Sequence, residues 1–211
     1  MSITPELLLQ AYRSGIFPMA EHRDDPELFW VDPRRRGILP IGGLHISRSM
    51  ARRLRRDDYR ISVDADFAGV IDGCADRRET WINQEIRALF LELHDRGLAH
   101  SLEVWMDGAL AGGIYGLEIG AAFCGESMFS RRRDASKIAL CWMLDLLREA
   151  GFTLFDTQFL TEHLASMGGI EITRTDYRAR LQDALTRTAD FSGTPLARSG
   201  HELVQRNTQT S

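Results

Sequence analysis

The chain is almost without lysine: Lys137 stands alone, and every other basic side chain is an arginine. Nothing about function follows from that imbalance. Cysteine is scarce as well, three residues (Cys74, Cys124, Cys141) far apart and with no C-x-x-C pair. An odd, scattered set argues for a reducing cytoplasm and against a disulfide framework or a zinc knuckle. The histidines (22, 45, 94, 100, 163, 201) lack ligand spacing, so no metal is expected. No apolar run reaches the roughly 18 residues of a membrane span. The opening Met1-Ser2-Ile3-Thr4-Pro5-Glu6 is not a charged-then-apolar leader. Glycine-rich loops of the Walker or dinucleotide type are missing, which removes the routine phosphate-binding enzymes. Gly125-Glu126-Ser127-Met128-Phe129 has Phe where a nucleophile elbow requires its last Gly, against a serine hydrolase.

What is present is an ordinary globular composition: 211 residues, 44% apolar and 27% charged. That length suits one domain, or one with a small appendage, and buries roughly 70% of the unfolded surface without metal or disulfide. The net charge of −4 hides an asymmetry. Nine arginines between Arg34 and Arg60 face only Asp57 and Asp58, a local +7, so the rest of the chain carries −11. Such a block suits a polyanion docked at one place. It reads equally as the solvated face of a helix.

The periodicity predicts a capped helix over Thr4 to Ser14, an aperiodic stretch with three prolines from Ile16 to Pro33, and a helix over Ser47 to Arg56. A strand at Tyr59 to Val63 and helices at Asp66 to Cys74 and Gln84 to Asp95 follow. Next comes an antiparallel meander, His100 to Trp105, Ala109 to Leu117 and Ala121 to Gly125, with Asp107-Gly108 as a hairpin turn. Ala135 to Ala150 is apolar nearly all round and reads as the buried central helix. A strand at Thr153 to Asp156, a helix near Glu162 to Met167, a strand near Glu171 and a helix over Asp176 to Thr188 complete the order. The polar tail after Asp190 is expected to fray. The fold class is α+β, a mixed sheet with helices on its faces, divided as residues 1–33, 34–190 and a tail 191–211.

Two runs at strand ends carry the candidate chemistry, Phe123 to Ser130 and Asp156-Thr157-Gln158. Glu126 and Asp156 lie in apolar surroundings, where a carboxylate needs a cationic or hydrogen-bonding partner. Each also reads as a structural acid satisfied by neighbouring hydroxyls.

Five strings break that tie: Tyr12-Arg13-Ser14-Gly15-Ile16-Phe17-Pro18, Leu44 to Met50, His100 to Trp105, Phe123 to Ser130 and Asp156-Thr157-Gln158. In order, they resemble the leucyl/phenylalanyl-tRNA–protein transferases, from about Ile3, at the first family helix, to Leu185. The resemblance implies a small N-terminal domain and a larger domain of GNAT (N-acetyltransferase) type. It implies transfer of Leu or Phe, with Met as a further candidate, from aminoacyl-tRNA to the N-terminal Arg or Lys of a protein, which marks that protein for N-end-rule degradation. No cofactor is implied, since the ester is already activated.

By the same resemblance Gln158 accepts a hydrogen bond from the incoming amine, Asp156 orients it or acts on the proton, and Glu126 meets a cation of the substrates. Trp81 lies near the terminal adenosine, and Met19 stands where members often have Trp. The side-chain pocket falls on Ile114, Phe123, Met128, Leu140, Met143, Leu147 and Phe155, most of which also read as plain core. Arg48, Arg52, Arg53, Arg55 and Arg56 would hold tRNA phosphates. The alternative is a coenzyme A-dependent N-acetyltransferase. Against it, Arg131-Arg132-Arg133-Asp134-Ala135-Ser136-Lys137 has no glycine to cradle a pyrophosphate.

Overall fold

The computed structural model describes residues 3–25 and 27–208; the ends of the expected first and last segments lie outside the described residues. Thr4 caps the first helix, α1 (Pro5–Arg13), its side chain accepting from Leu7 N. The proline-containing stretch folds into a two-stranded antiparallel ribbon, β1 (Phe17–Met19) with β2 (Phe29–Val31). There follow β3 (Arg35–Ile38), α2 (Arg48–Leu54), β4 (Arg60–Val63), α3 (Phe67–Ala75) and α4 (Gln84–Asp95). The meander is β5 (Ala99–Met106), β6 (Ala109–Ile119) and β7 (Ala122–Ser130). Then come α5 (Ala135–Glu149), β8 (Leu154–Gln158), α6 (Glu162–Ser166), β9 (Ile170–Thr173), α7 (Arg174–Leu185) and α8 (Gly200–Thr208).

Seven strands form one sheet in the order β4-β5-β6-β7-β8-β3-β9. All pairs are antiparallel except β7 with β8, so the sheet is mixed. Side-chain alternation divides the core into two. Ile114 of β6 points to one face, where α5 packs with α2 and α8. Tyr115 points to the other, with α1, α3, α4 and α7. α5 is central because Ala135 and every residue from Ile138 to Leu147 are buried.

Three expectations need correction. β7 runs on to Ser130 instead of ending at Gly125, because Met128 and Phe129 pair with Ile114 and Gly113 and pack against opposite cores. β3 was concealed by its arginines; Gly37 and Ile38 are buried and pair on both edges, with β8 and β9. Through Thr208, the last described residue, the tail does not fray: Phe191, Leu203 and Val204 are buried in the α5 core, and α8 closes over it. Among the described residues no helix is long and apolar enough to cross a membrane.

Candidate active site

The sheet opens where its one parallel pair ends. β7 and β8 are paired from Ala122↔Leu154 to Cys124↔Asp156, and no further. Beyond that point each strand does something irregular. On β7 the pairing with β6 steps from Tyr115↔Ser127 to Gly116↔Gly125, leaving Glu126 as the extra residue of a bulge. A bulge re-aims one side chain out of the pleat's alternation. On β8 the backbone of Gln158 turns left-handed, with φ 61. Gly125 is required beside the bulge, since a Cβ there would stand 2.6 Å from the Phe155 ring. Between the splayed ends lies a cavity of about 270 Å³, lined by apolar Met19, Trp81, Ile114, Met128, Leu140 and Phe155, with Arg77, Glu126, Ser127, Thr157, Gln158 and Thr161 as its polar residues.

Asp156 stands behind this cavity and does not line it. It is fully buried, and all of its acceptor capacity is taken. Arg36 grips it through two bonds, Nε to Oδ1 at 2.8 Å and Nη2 to Oδ2 at 2.6 Å. Tyr177 OH donates to Oδ2 at 2.8 Å, and the backbone N of Gln158 donates to Oδ1 at 2.8 Å. Arg36 is itself 1% exposed, sandwiched between the rings of Phe17 (4.5 Å) and Tyr177 (4.4 Å), and donates to Gly15 O at 3.1 Å. Burial works against the guanidinium's charge, but the adjacent Asp156 outweighs it and holds the proton more tightly than usual. The cationic partner that a buried acid requires is therefore present, and it comes from the arginine block. Direct proton transfer by Asp156 is closed off by these four donors. What the carboxylate does is fix the strained backbone of Gln158.

Glu126 is the opposite case. Tyr12 OH donates to its Oε1 at 2.7 Å, and Gln158 Nε2 donates to the same oxygen at 3.0 Å. Oε2 is buried with no partner among the described residues. Burial pushes the carboxyl up to about 8; Tyr12 and Gln158 pull it down and Asp156 adds repulsion. Because Gln158 commits its NH₂ to Glu126, its carbonyl oxygen is left for the cavity.

Two family descriptions match the chain: the N-terminal domain of leucyl/phenylalanyl-tRNA protein transferase over residues 1–34, and leucyl/phenylalanyl-tRNA protein transferase over residues 38–182. A leucyl/phenylalanyl-tRNA–protein transferase of Ruegeria pomeroyi is 63% identical over 211 residues, covering 100% of both chains. Its counterpart from Ruegeria sp. (strain TM1040) is 64% identical over the same span, with 100% of both chains covered. The chain belongs to the leucyl/phenylalanyl-tRNA–protein transferase family. The solved structure of FemX superposes with a TM-score of 0.54 over 79% of this chain and 66% of that one, at 12% identity, a likeness of fold alone. The mixed sheet with helices on both faces is the α+β class expected.

Besides Asp156, the sequence-predicted residues of this transferase fall into three groups. Met19, Trp81, Ile114, Glu126, Met128, Leu140, Phe155 and Gln158 meet at the cavity. Phe123, Met143 and Leu147 do not line it; they are buried in the core behind, where Phe123 packs on Phe155 and Phe191. The arginine block divides as well. Arg48, Arg52 and Arg55 are exposed and line a separate groove between α2 and α8, and Arg56 is exposed beside it. Arg53 is not free: it is ion-paired to Asp58 and lies over the Tyr59 ring at 5.6 Å.

Sequence reasoning missed Arg36 and Tyr177, which no local pattern could have paired with Asp156. It also missed Phe159, which lines the cavity, is 46% exposed and rests edge-on against Phe17. Gly37 admits the turn carrying Phe159, because a Cβ would come within 2.6 Å of the Phe159 carbonyl carbon. An aromatic residue directly after Thr157 and Gln158 is the signal the sequence offers.

Proposed function

We propose that this chain transfers Leu or Phe from an aminoacyl-tRNA to the N-terminal Arg or Lys of an acceptor protein. The observation that carries this reading is the joining of Glu126 and Gln158 at the mouth of an apolar cavity. At about 270 Å³ the cavity lies just below the usual range of roughly 300–1,000 Å³ for small-molecule sites. It suits one unbranched-at-Cβ side chain, with Val and Ile rejected by crowding near Cβ.

The reaction is aminolysis. The acceptor's α-amine attacks the ester carbonyl, a C–N bond forms, the ester C–O bond breaks, and the departing 3′-oxygen takes up the proton the amine sheds. An α-amine has an ordinary pKa of about 8, so a usable fraction is already neutral at pH 7. Positioning then supplies much of the acceleration. Gln158 accepts from the amine through its free carbonyl oxygen, and the Arg36–Asp156–Tyr177 cluster keeps that oxygen in place. Glu126, neutral in the empty site through burial, ionises when the cationic acceptor arrives and pairs with it. The Arg48, Arg52 and Arg55 groove takes tRNA phosphates. Degradation of the tagged product in the cytoplasm follows from the same reading.

Acetyl transfer from coenzyme A fits less well. Ser130 Oγ already accepts from Ser136 N at 3.2 Å, at the end of α5 where a pyrophosphate would need free donors. The test is incubation with labelled Leu-tRNA and a peptide beginning with Arg. Label on the peptide is expected. Its absence, together with acetylation of the same peptide from acetyl-coenzyme A, overturns the proposal.

A further inference from the structure

Two groups on the helices next to the cavity's lining residues have no hydrogen-bond partner among the described residues, and the transfer chemistry uses neither. Lys137 stands one helical turn before Leu140, which lines the cavity from α5. It is half-buried and makes no hydrogen bond or ion pair among the described residues. His163 sits on α6 between the lining residues Thr161 and Leu164. Its Nε2 is buried with no partner. The two belong together: burial and the charge of Lys137 both hold His163 below its ordinary value, so the ring stays neutral at pH 7. Glu162, the acid of α6, is exposed and forms no ion pair with Lys137. A half-buried ammonium beside an unsatisfied ring nitrogen is a costly arrangement unless a ligand completes it.

The route onward from this point is also basic. α6 ends at Ser166, and the carbonyl of Met167, which follows it, accepts from His45 N at 3.0 Å. His45 lines the groove that holds Arg48, Arg52 and Arg55. The helix that carries His163 thus joins the cavity wall to the arginine groove.

We infer that Lys137 and His163 hold the phosphodiester joining the donor's terminal adenosine to the nucleotide before it. The inference rests on the proposed function and refines its donor site. Lys137 supplies the charge, and the neutral imidazole donates one N–H to a phosphate oxygen.

Two non-hydrolysable probes test it, both with phenylalanine amide-linked to 3′-amino-3′-deoxyadenosine. One ends in a free 5′-hydroxyl; the other continues through a phosphodiester to cytidine. The wild-type protein should bind the phosphodiester probe more tightly. Lys137→Gln should weaken that probe by about tenfold, the scale of one charge-assisted hydrogen bond, while the short probe stays within about twofold. The salt slope for the longer probe should fall by about 0.7, one single-strand phosphate. Lys137→Arg should restore most of the affinity, and His163→Ala should cost a few-fold on the longer probe only. Equal weakening of both probes in Lys137→Gln, or no weakening of either, overturns the phosphate site and leaves the transferase reading standing. If the wild type binds neither probe, the donor reading fails and this inference fails with it.

Discussion

Asp156 and Glu126 are buried acids beside the same cavity, and the fold treats them in opposite ways. Asp156 takes four hydrogen bonds, one pair of them from a guanidinium, and has no open lone pair. Glu126 is 8% exposed, takes both of its donors on one oxygen, and leaves the other bare. A saturated acid can only hold shape, because any new partner must displace an old one. A half-satisfied acid costs stability in the free protein and gains a partner on binding. Position in sequence does not separate the two; their partners do. Gln158 is the bridge, with its backbone tied to Asp156 and its side chain to Glu126.

The largest effect is expected from breaking the saturated end. Asp156→Ala leaves Arg36 as an unpaired buried cation, which should cost about 3–5 kcal/mol of stability. A chemical denaturation curve reads this directly. A loss below about 1 kcal/mol would mean that Arg36 finds other partners and that the clamp is not structural. Next comes the bridge. Gln158→Ala should lower peptide transfer by about 100-fold while affinity for Leu-tRNA changes less than about twofold, since the lost interaction is made to the incoming amine. Equal losses in both measurements would place Gln158 in donor binding.

The open end gives a pH signature. The folded Glu126 carboxyl titrates near 8, against an ordinary value of 4.5. Between those values the folded protein holds a proton that the unfolded chain has released, so this group's contribution to stability falls as pH rises and levels off above about pH 8. Glu126→Gln keeps the neutral shape and removes the titration. Its melting temperature should match wild type near pH 4.5, exceed it increasingly up to pH 8, and run parallel beyond, a gain of a few kcal/mol at most. The same variant should raise KM for an Arg-initiated peptide by about tenfold, with kcat changed less. Parallel melting curves from pH 5 to 9 would show that the acid is not held neutral.

Elements set by local chemistry were legible beforehand. The bounds of α4 follow from the Asn83 cap, whose side chain accepts from Ile86 N, and the β5–β6 turn from Asp107-Gly108, both at positive φ. Features that depend on a distant partner were not. The bulge at Glu126 is a property of two strands in register, and a single-strand reading places the residue past the strand end. Arg36 looked like one more surface cation because burial of a guanidinium is decided by Asp156, 120 residues away. Phe123, Met143 and Leu147 share apolarity and spacing with Leu140, so only packing shows which of them faces the cavity. α8 was invisible because Leu203 and Val204 are too few to set a period.

The smallest effect carries the comparison of matched and unmatched groups onto the arginines of α2. Arg52 and Arg55 are exposed along the groove beside α8 and form no ion pair among the described residues. Arg53, between them, is matched to Asp58 and to the Tyr59 ring. If unmatched cations bind the ligand and matched ones hold shape, the three must respond differently. Arg52→Gln and Arg55→Gln together should flatten the salt dependence of Leu-tRNA binding by up to about 0.9 for each phosphate no longer neutralised, and leave stability unchanged. Arg53→Gln should leave the slope alone and cost up to about 1 kcal/mol of stability, the range of a partly exposed ion pair. Filter binding at several salt concentrations separates the two cases. A flattened slope for Arg53→Gln equal to that of its neighbours would make the arginine block a general field, in which pairing within the protein does not decide what touches the tRNA.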